Sequence, residues 1–482
     1  MPKGQKWAFG IALLWAIMAV VRQMDLNEIP AAVPGVLAFA AFLLAFPWRT
    51  DNESGKSDGK GKIAAWLQRR GIRVNIPAGL LVLWLGISIA LHPYPLPQLR
   101  CMRWIFLTFS MLLLSPIVVT DFMTRIRKAV LTLILALLAV GAAVSLFIWL
   151  YIKVFGVDET ANPLFYFGYC GLLSCGITFS HICGILTLVS LYALLHEPRK
   201  RGLSACSMIM FLCGCMIGGS RIALCGTAAG FLLLVGFHFR KVLNFLKSTR
   251  GILLTLGVIG AMAAASPWLT ETLYHKQLLV REYDNLLISR HRLWNARIYE
   301  ITHYPLTGIG YANELQSNIE ANVDCAVTDD FAAIIGPAGE LRPELYVAPD
   351  ASATAEPDAS AETAASAETA ASAETDAPST AEPRLKFPVE LEPGSSWYSV
   401  VSSGGVVAAI LLIWFLIGLF RRIRANRYAE HFPLGLSILV FFLFSSFTEG
   451  WIIYAGSFQF MIFWLTVSLI SAPQNSERRT ML

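Results

Sequence analysis

The sequence predicts an all-α polytopic membrane protein with about twelve transmembrane helices and one large outer loop. Three observations lead there. Hydrophobic residues make up 55% of the 482 and charged residues only 15%, less charge than a soluble surface of this size needs. Apolar runs of about 17–25 residues recur, each long enough to cross a hydrocarbon core of ~30 Å. Backbone groups in lipid must bond internally, so such runs are helices. Finally, Lys and Arg alternate from side to side between the runs. Together these exclude the two or three soluble domains that length alone would suggest.

The first run, near 7–22, follows Lys3 and Lys6. No small-residue cleavage site follows it, so it reads as a retained helix rather than a signal peptide. Further runs lie near 31–48, 76–92, 104–120, 129–152, 173–195, 203–218, 222–238 and 251–266. Residues 1–266 thus hold helices one to nine. Residues 400–482 hold helices ten to twelve, near 400–419, 433–448 and 451–471, and a tail. The segments between runs divide by charge. One set carries Arg69, Arg70 and Arg73; Arg125, Arg127 and Lys128; Arg199, Lys200 and Arg201; Arg240, Lys241 and Lys247; and Arg421, Arg422 and Arg424. The short segments of the other set are sparser in charge, with Arg22, Arg100, Arg103 and Arg221. This predicts both termini in the cytoplasm and the long segment 267–399 outside. The formal charge of +5 then reflects topology, with no nucleic acid as partner.

Within 267–399, Tyr274–Leu315 mixes apolar and charged residues at helical spacing, which predicts amphipathic helices at the outer membrane face. Residues 351–383 repeat Ala-Glu-Thr-Ala-Ala-Ser, with Glu362, Glu368 and Glu374 in register. That composition predicts a disordered acidic tether. Most cysteines sit inside apolar runs as small apolar residues. Cys213-Gly-Cys215 has no histidine or second pair at ligand spacing, so neither metal nor cofactor is expected. Cys101, Cys170 and Cys325 fall near the outer face, where a disulfide stays open.

Four groups of residues invite chemistry. Arg221 closes Gly218-Gly219-Ser220-Arg221, a tight turn between two apolar runs. A cation at that depth is expensive and calls for an anion. Its guanidinium suits a diphosphate through paired hydrogen bonds, and a snorkelling interface arginine is the plainer alternative. Arg290, His291, Arg292 and Trp294 form a second group, with Arg290 and Trp294 sharing a helix face. His303-Tyr304-Pro305-Leu306-Thr307-Gly308-Ile309-Gly310 follows, in which Pro305 ends the helix and Gly308 and Gly310 permit an unusual turn. Basic, aromatic and glycine residues together suit phosphate and sugar, and an interfacial helix on lipid headgroups is the competing reading. Glu449, near the end of the eleventh run, calls for a polar cavity or an arginine, Arg221 or Arg290. Arg100 and Arg103 add positive potential on the same side or anchor headgroups. His181, inside a run, reads as a structural bond to a neighbouring helix.

Three segments resemble the O-antigen ligase and polymerase family of bacterial envelope glycosyltransferases. They are Gly219-Ser220-Arg221 opening a helix; Arg290-x-x-x-Trp294 followed by His303-x-Pro305-Leu306-x-Gly308-x-Gly310; and Ser395-Ser396-Trp397-Tyr398 leading to Gly405. The resemblance implies a GT-C-like ligase fold in the bacterial inner membrane, with the large loop periplasmic. It implies metal-independent transfer of glycan from an undecaprenyl-diphosphate carrier to a glycolipid or glycan acceptor. Arg221 and Arg290 would hold the diphosphate and stabilise the charge growing on it. Arg292, Trp294, Gly308, Gly310 and Trp397 would contribute to substrate binding, with Arg100 and Arg103.

The sequence departs from that pattern at one position. Ligases of the family carry a histidine eleven residues before a glycine that matches Gly405, and here that residue is Gly394. No histidine lies between His303 and His431. A general base contributes about 10²–10⁴-fold, and one reading is that another residue serves, with His303, Glu390 and Glu392 as candidates. A polymerase with differently activated acceptor and a member without transfer activity stay open. So does another class, a transporter or flippase of lipid-linked glycans. Polar residues gathered at one face and motifs in an outer loop favour chemistry at the surface over passage through the bundle.

Overall fold

The computed structural model describes residues 3–24, 32–46, 72–92, 97–155, 169–173, 175–249, 251–253, 255–260, 263, 264, 266, 267, 270, 294, 297, 298, 300–312, 395–427, 431–455 and 457–472. Arg290, His291, Arg292, Glu390, Glu392, Gly394 and the acidic repeat lie outside them, as does nearly all of the expected amphipathic region before Trp294.

The chain is a helical membrane protein. Its helices are α1 (Lys3–Gln23), α2 (Ala32–Ala45), α3 (Ile76–Leu91), α4 (Pro97–Leu114), α5 (Asp121–Phe155), α6 (Gly176–His196), α7 (Arg201–Ile217), α8 (Arg221–Phe237), α9 (Phe239–Leu246), α10 (Ser396–Ala425), α11 (Phe432–Ser445) and α12 (Phe458–Ser471). Among the described residues, five helices are long and apolar enough to cross a membrane by length and composition, or six if α8 and α9, bent by 93°, form one span. Shorter apolar helices, Gly251–Gly260 included, occupy other predicted runs. Strands β1 (Arg73–Val74) and β2 (Val118–Val119) pair antiparallel, Arg73 opposite Val119, and clip the start of α3 to the end of α4.

Contacts between helix ends give the bundle two ends: Asn426, after α10, donates to the Ile470 and Ala472 carbonyls at the end of α12, and Ser396 N–H, at the start of α10, donates to Ser446 O after α11. At the basic end lie β1, β2, the start of α5 and the arginines closing α10. At the motif end lie the α7–α8 turn, the start of α10, the loop after Glu300 and the segment after α11. Small residues bring helices close. Gly226 of α8 lies against Phe441 of α11, and Gly230 against the Ser437 carbonyl. This antiparallel register puts Arg221 level with Ser446. α6, wedged among α7, α8 and α11, is buried along most of its length. His181 on α6 bonds its own helix, Nδ1 lying 2.8 Å from the Ile177 carbonyl, and its ring packs edge-on to Phe441 of α11.

Two boundaries differ from expectation. α4 begins at Pro97, so Arg100 and Arg103 lie in its first two turns rather than ahead of it. Proline is well placed there, because a first-turn residue has no intrahelical partner for an N–H. The run predicted from 451 starts its helix only at Phe458. Trp451 and Ile452 direct their backbone N–H groups to Ser396 Oγ, at 2.9 and 3.3 Å, instead of to a helix.

Candidate active site at the motif end

Three pieces of chain build this end. The first is the turn into α8. Gly219 takes a positive φ of 67°, which reverses the chain at no steric cost. Ser220 then caps α8: its Oγ accepts a hydrogen bond from the Ala223 N–H at 3.4 Å. Its own N–H donates to Ser180 Oγ, 3.2 Å away on α6. Arg221 is the first residue of the helix and is exposed. Its guanidinium has no hydrogen bond or ion pair among the described residues. The free N–H groups of a helix start and a guanidinium therefore share one place, and both attract anions.

The second piece is Tyr304–Ala312, wedged between α3 and α10. Gly308 and Gly405 both adopt positive φ, 69° and 63°. A Cβ on Gly308 would overlap the Ser402 carbonyl and the Gly404 N; one on Gly405 would overlap the Leu306 carbonyl. The two backbones interlock there. Ile309 N–H donates to Ser402 O and Val406 N–H to Pro305 O, each at 2.7 Å. Gly310, with φ of 90°, lies against the Ser88 carbonyl of α3. Tyr311 N–H donates to Ser88 Oγ at 3.1 Å and Tyr311 OH to Ile453 O at 3.0 Å. Gly308 and Gly310 are thus used for close backbone approach.

The third piece joins the start of α10 to the segment after α11. Ser396 Oγ donates to the Glu449 carbonyl at 2.6 Å while accepting from Trp451. Glu449 is only 7% exposed and follows the turn that ends α11. Trp397 packs on Phe447 with ring centroids 6.4 Å apart. Its indole N–H is buried and has no partner among the described residues. Trp397 also forms one end of an apolar cavity of about 580 Å³ between α10, α11 and α12, which runs past Leu412, Leu443 and Phe463 to Arg421 and Arg424.

The remaining expected residues fall as follows. Trp294 is half-buried, 6.3 Å from the Tyr398 ring. His303 is exposed, with Nδ1 3.4 Å from Thr302 Oγ1. Arg100 is buried and Arg103 half-buried on α4. The sequence reading missed two features. Arg297 and Glu300 form a buried ion pair of 2.9 Å, which their i, i+3 spacing could have suggested. His92 lies just past the end of α3, its Nε2 2.7 Å from Thr307 Oγ1. Taken as the last residue of an apolar run, it drew no notice.

Comparison with known proteins agrees with the resemblance. Residues 206–327 match the family model described as O-antigen ligase. The match runs from α7 through the Arg221 turn and α8 to the interlocked loop and beyond; Trp397, Gly405 and Glu449 lie outside it. No curated protein matches the chain.

Proposed function

We infer, for a chain whose residues 206–327 match the O-antigen ligase family model, that it transfers a glycan from a polyprenyl-diphosphate carrier to an acceptor hydroxyl. The reaction takes place at the outer face of the bacterial inner membrane, with both termini cytoplasmic and the large loop periplasmic. The twelve-span GT-C-like layout belongs to the same proposal. The donor is an undecaprenyl-diphosphate-linked glycan and the acceptor a glycolipid or a second glycan.

The observation that carries this reading is Arg221. A cation at a helix start, exposed and without an ion pair among the described residues, keeps its donors available for a ligand of opposite charge. A diphosphate supplies that charge, in a geometry that a planar guanidinium and adjacent N–H groups can match. In the reaction, the sugar–diphosphate bond breaks and negative charge grows on the leaving group. Arg221 and Arg290 stabilise it, and Glu449 orients one of them. The Trp397 N–H is a further donor at the same end. The apolar cavity beside it is suited to the carrier chain, each buried methylene contributing about 0.8 kcal/mol. Arg100 and Arg103 raise the local positive potential, and Arg292 and Trp294 contact the glycan.

Deletion of the gene followed by analysis of surface glycans tests the proposal. The deletion should remove polymerised or ligated glycan, and the wild-type gene should restore it. Arg221→Ala and Arg290→Ala should each lower transfer about 10²–10³-fold, the usual effect of losing one transition-state donor. Full restoration by both variants would refute the assignment.

A further inference from the structure

The transfer chemistry needs a proton acceptor, and the family's usual histidine position is Gly394. The interlocked loop brings an unassigned histidine to the motif end. His92 lies beyond Leu91, the last residue of α3, with Nε2 2.7 Å from Thr307 Oγ1. The Tyr304 ring stands edge-on to it at 5.5 Å, and Gly310 packs beside its Cβ. Thr307 follows Leu306, which is largely exposed, and precedes Gly308, whose contact with α10 fixes the loop. The same loop reaches Ile453, four residues from Glu449, through Tyr311. The His92–Thr307 pair therefore sits in the construction that also holds Glu449.

We propose that His92 is the proton acceptor for the incoming hydroxyl, working through Thr307. The inference rests on the transferase reading above. The acceptor oxygen bonds to the anomeric carbon as the bond from that carbon to the diphosphate oxygen breaks. The electron pair leaves with the diphosphate. The acceptor's proton passes to Thr307 Oγ1 while the Thr307 proton moves to His92 Nε2; His92 then releases it to water.

Charge supports this role. Burial, and secondly the positive charge of Arg100, hold His92 below the usual histidine range. Neutral imidazole, the form that can take a proton, therefore persists to lower pH. Among the described residues, Arg100 of α4 and Tyr304 of the loop are the titratable groups set against it. His303, by contrast, is exposed, with Nδ1 3.4 Å from Thr302 Oγ1.

The test uses deletion cells carrying each variant, with medium pH setting the pH at the outer face. It reads the initial rate of surface-glycan appearance and cross-linking to photoreactive undecaprenyl diphosphate. His92→Gln keeps a hydrogen-bonding side chain but cannot take the proton. It should slow transfer about 100-fold and abolish the acid limb of the rate profile, while membrane level and cross-linking hold. Thr307→Val should lose most of the rate and Thr307→Ser recover it, a rescue that excludes simple misfolding. Arg100→Gln removes a charge that lowers the His92 pKa, so the acid limb should move to higher pH. A wild-type rate and profile in His92→Gln, or loss of the acid limb in His303→Gln alone, overturns the inference while leaving the transferase reading intact. Wild-type cells that form no transferred glycan overturn both.

Discussion

Arg127 and Arg221 stand near the starts of two long helices, at opposite ends of the bundle, and their surroundings differ in kind. Arg127 is 1% exposed. Its Nε donates to Leu113 O at 2.7 Å, Nη1 to Ser468 Oγ at 2.8 Å, and Nη2 to Val118 O at 2.8 Å and Leu112 O at 3.3 Å. One guanidinium thus ties α5 to the end of α4, to β2 and to α12. The Leu112 and Leu113 carbonyls it takes are among those that a helix end leaves without partners. Arg221 is exposed, and its guanidinium has no partner among the described residues. In the sequence both read as cations flanking apolar runs, and Arg127 counted among the loop charges that orient the chain. The structure makes Arg127 an internal fastener. A buried arginine with four of its five N–H donors spent on the protein has little left for a ligand; an exposed one at a helix start has its full set.

The comparison breaks most easily at Arg127. Arg127→Met leaves three backbone carbonyls and a serine hydroxyl short of a donor in a dry interior. Hydrogen bonds from a charged group contribute about 1.5–3 kcal/mol each, so the loss should reach at least about 3 kcal/mol. The expected outcome is little folded protein by fluorescence size-exclusion. Arg221→Ala should yield wild-type amounts of folded protein with almost no transfer. Equal folding yields for the two variants would remove the distinction.

A smaller effect is expected at the interlocked loop. Gly308→Ala imposes a left-handed conformation on a residue with a Cβ, at about 1–2 kcal/mol, and drives that atom into the backbone of α10, which cannot rotate away. Thermal stability should fall by a few degrees. Transfer should fall further than stability, because the loop carrying Thr307 must shift. A Gly308→Ala protein with unchanged rate would mean that loop placement does not limit the chemistry.

Much of the bundle was legible because burial in lipid demands long apolar runs, and those runs are contiguous in sequence. The errors came where apolar residues do something else. Trp451, Ile452 and Ile453 read as the start of a span, yet they form an irregular segment held by Ser396 and by Trp464, whose indole N–H donates to Ile452 O at 2.9 Å. Arg100 and Arg103 read as flanking residues because charge was taken to end a helix, but Pro97 starts α4 ahead of them. The turn before Arg221 was legible from Gly-Gly-Ser-Arg, a local signal. The Gly308–Gly405 interlock and the His92–Thr307 contact were not, since each joins residues far apart in the chain. Only packing, which no local pattern encodes, brings them together.

The mildest test sharpens the contrast from the side of Arg221. The position of its guanidinium depends on the helix start beneath it, and Ser220 fixes that start twice, by accepting from Ala223 N–H and by donating its own N–H to Ser180. Ser220→Ala removes only the first bond, since the second uses backbone. The cost of losing such a cap is about 1 kcal/mol. The thermal midpoint should drop slightly and transfer should fall by less than about tenfold, with cross-linking to undecaprenyl diphosphate weakened in proportion. If Ser220→Ala abolishes transfer as fully as Arg221→Ala, the hydroxyl itself contacts the substrate, and the anion site is centred on the cap rather than on the guanidinium.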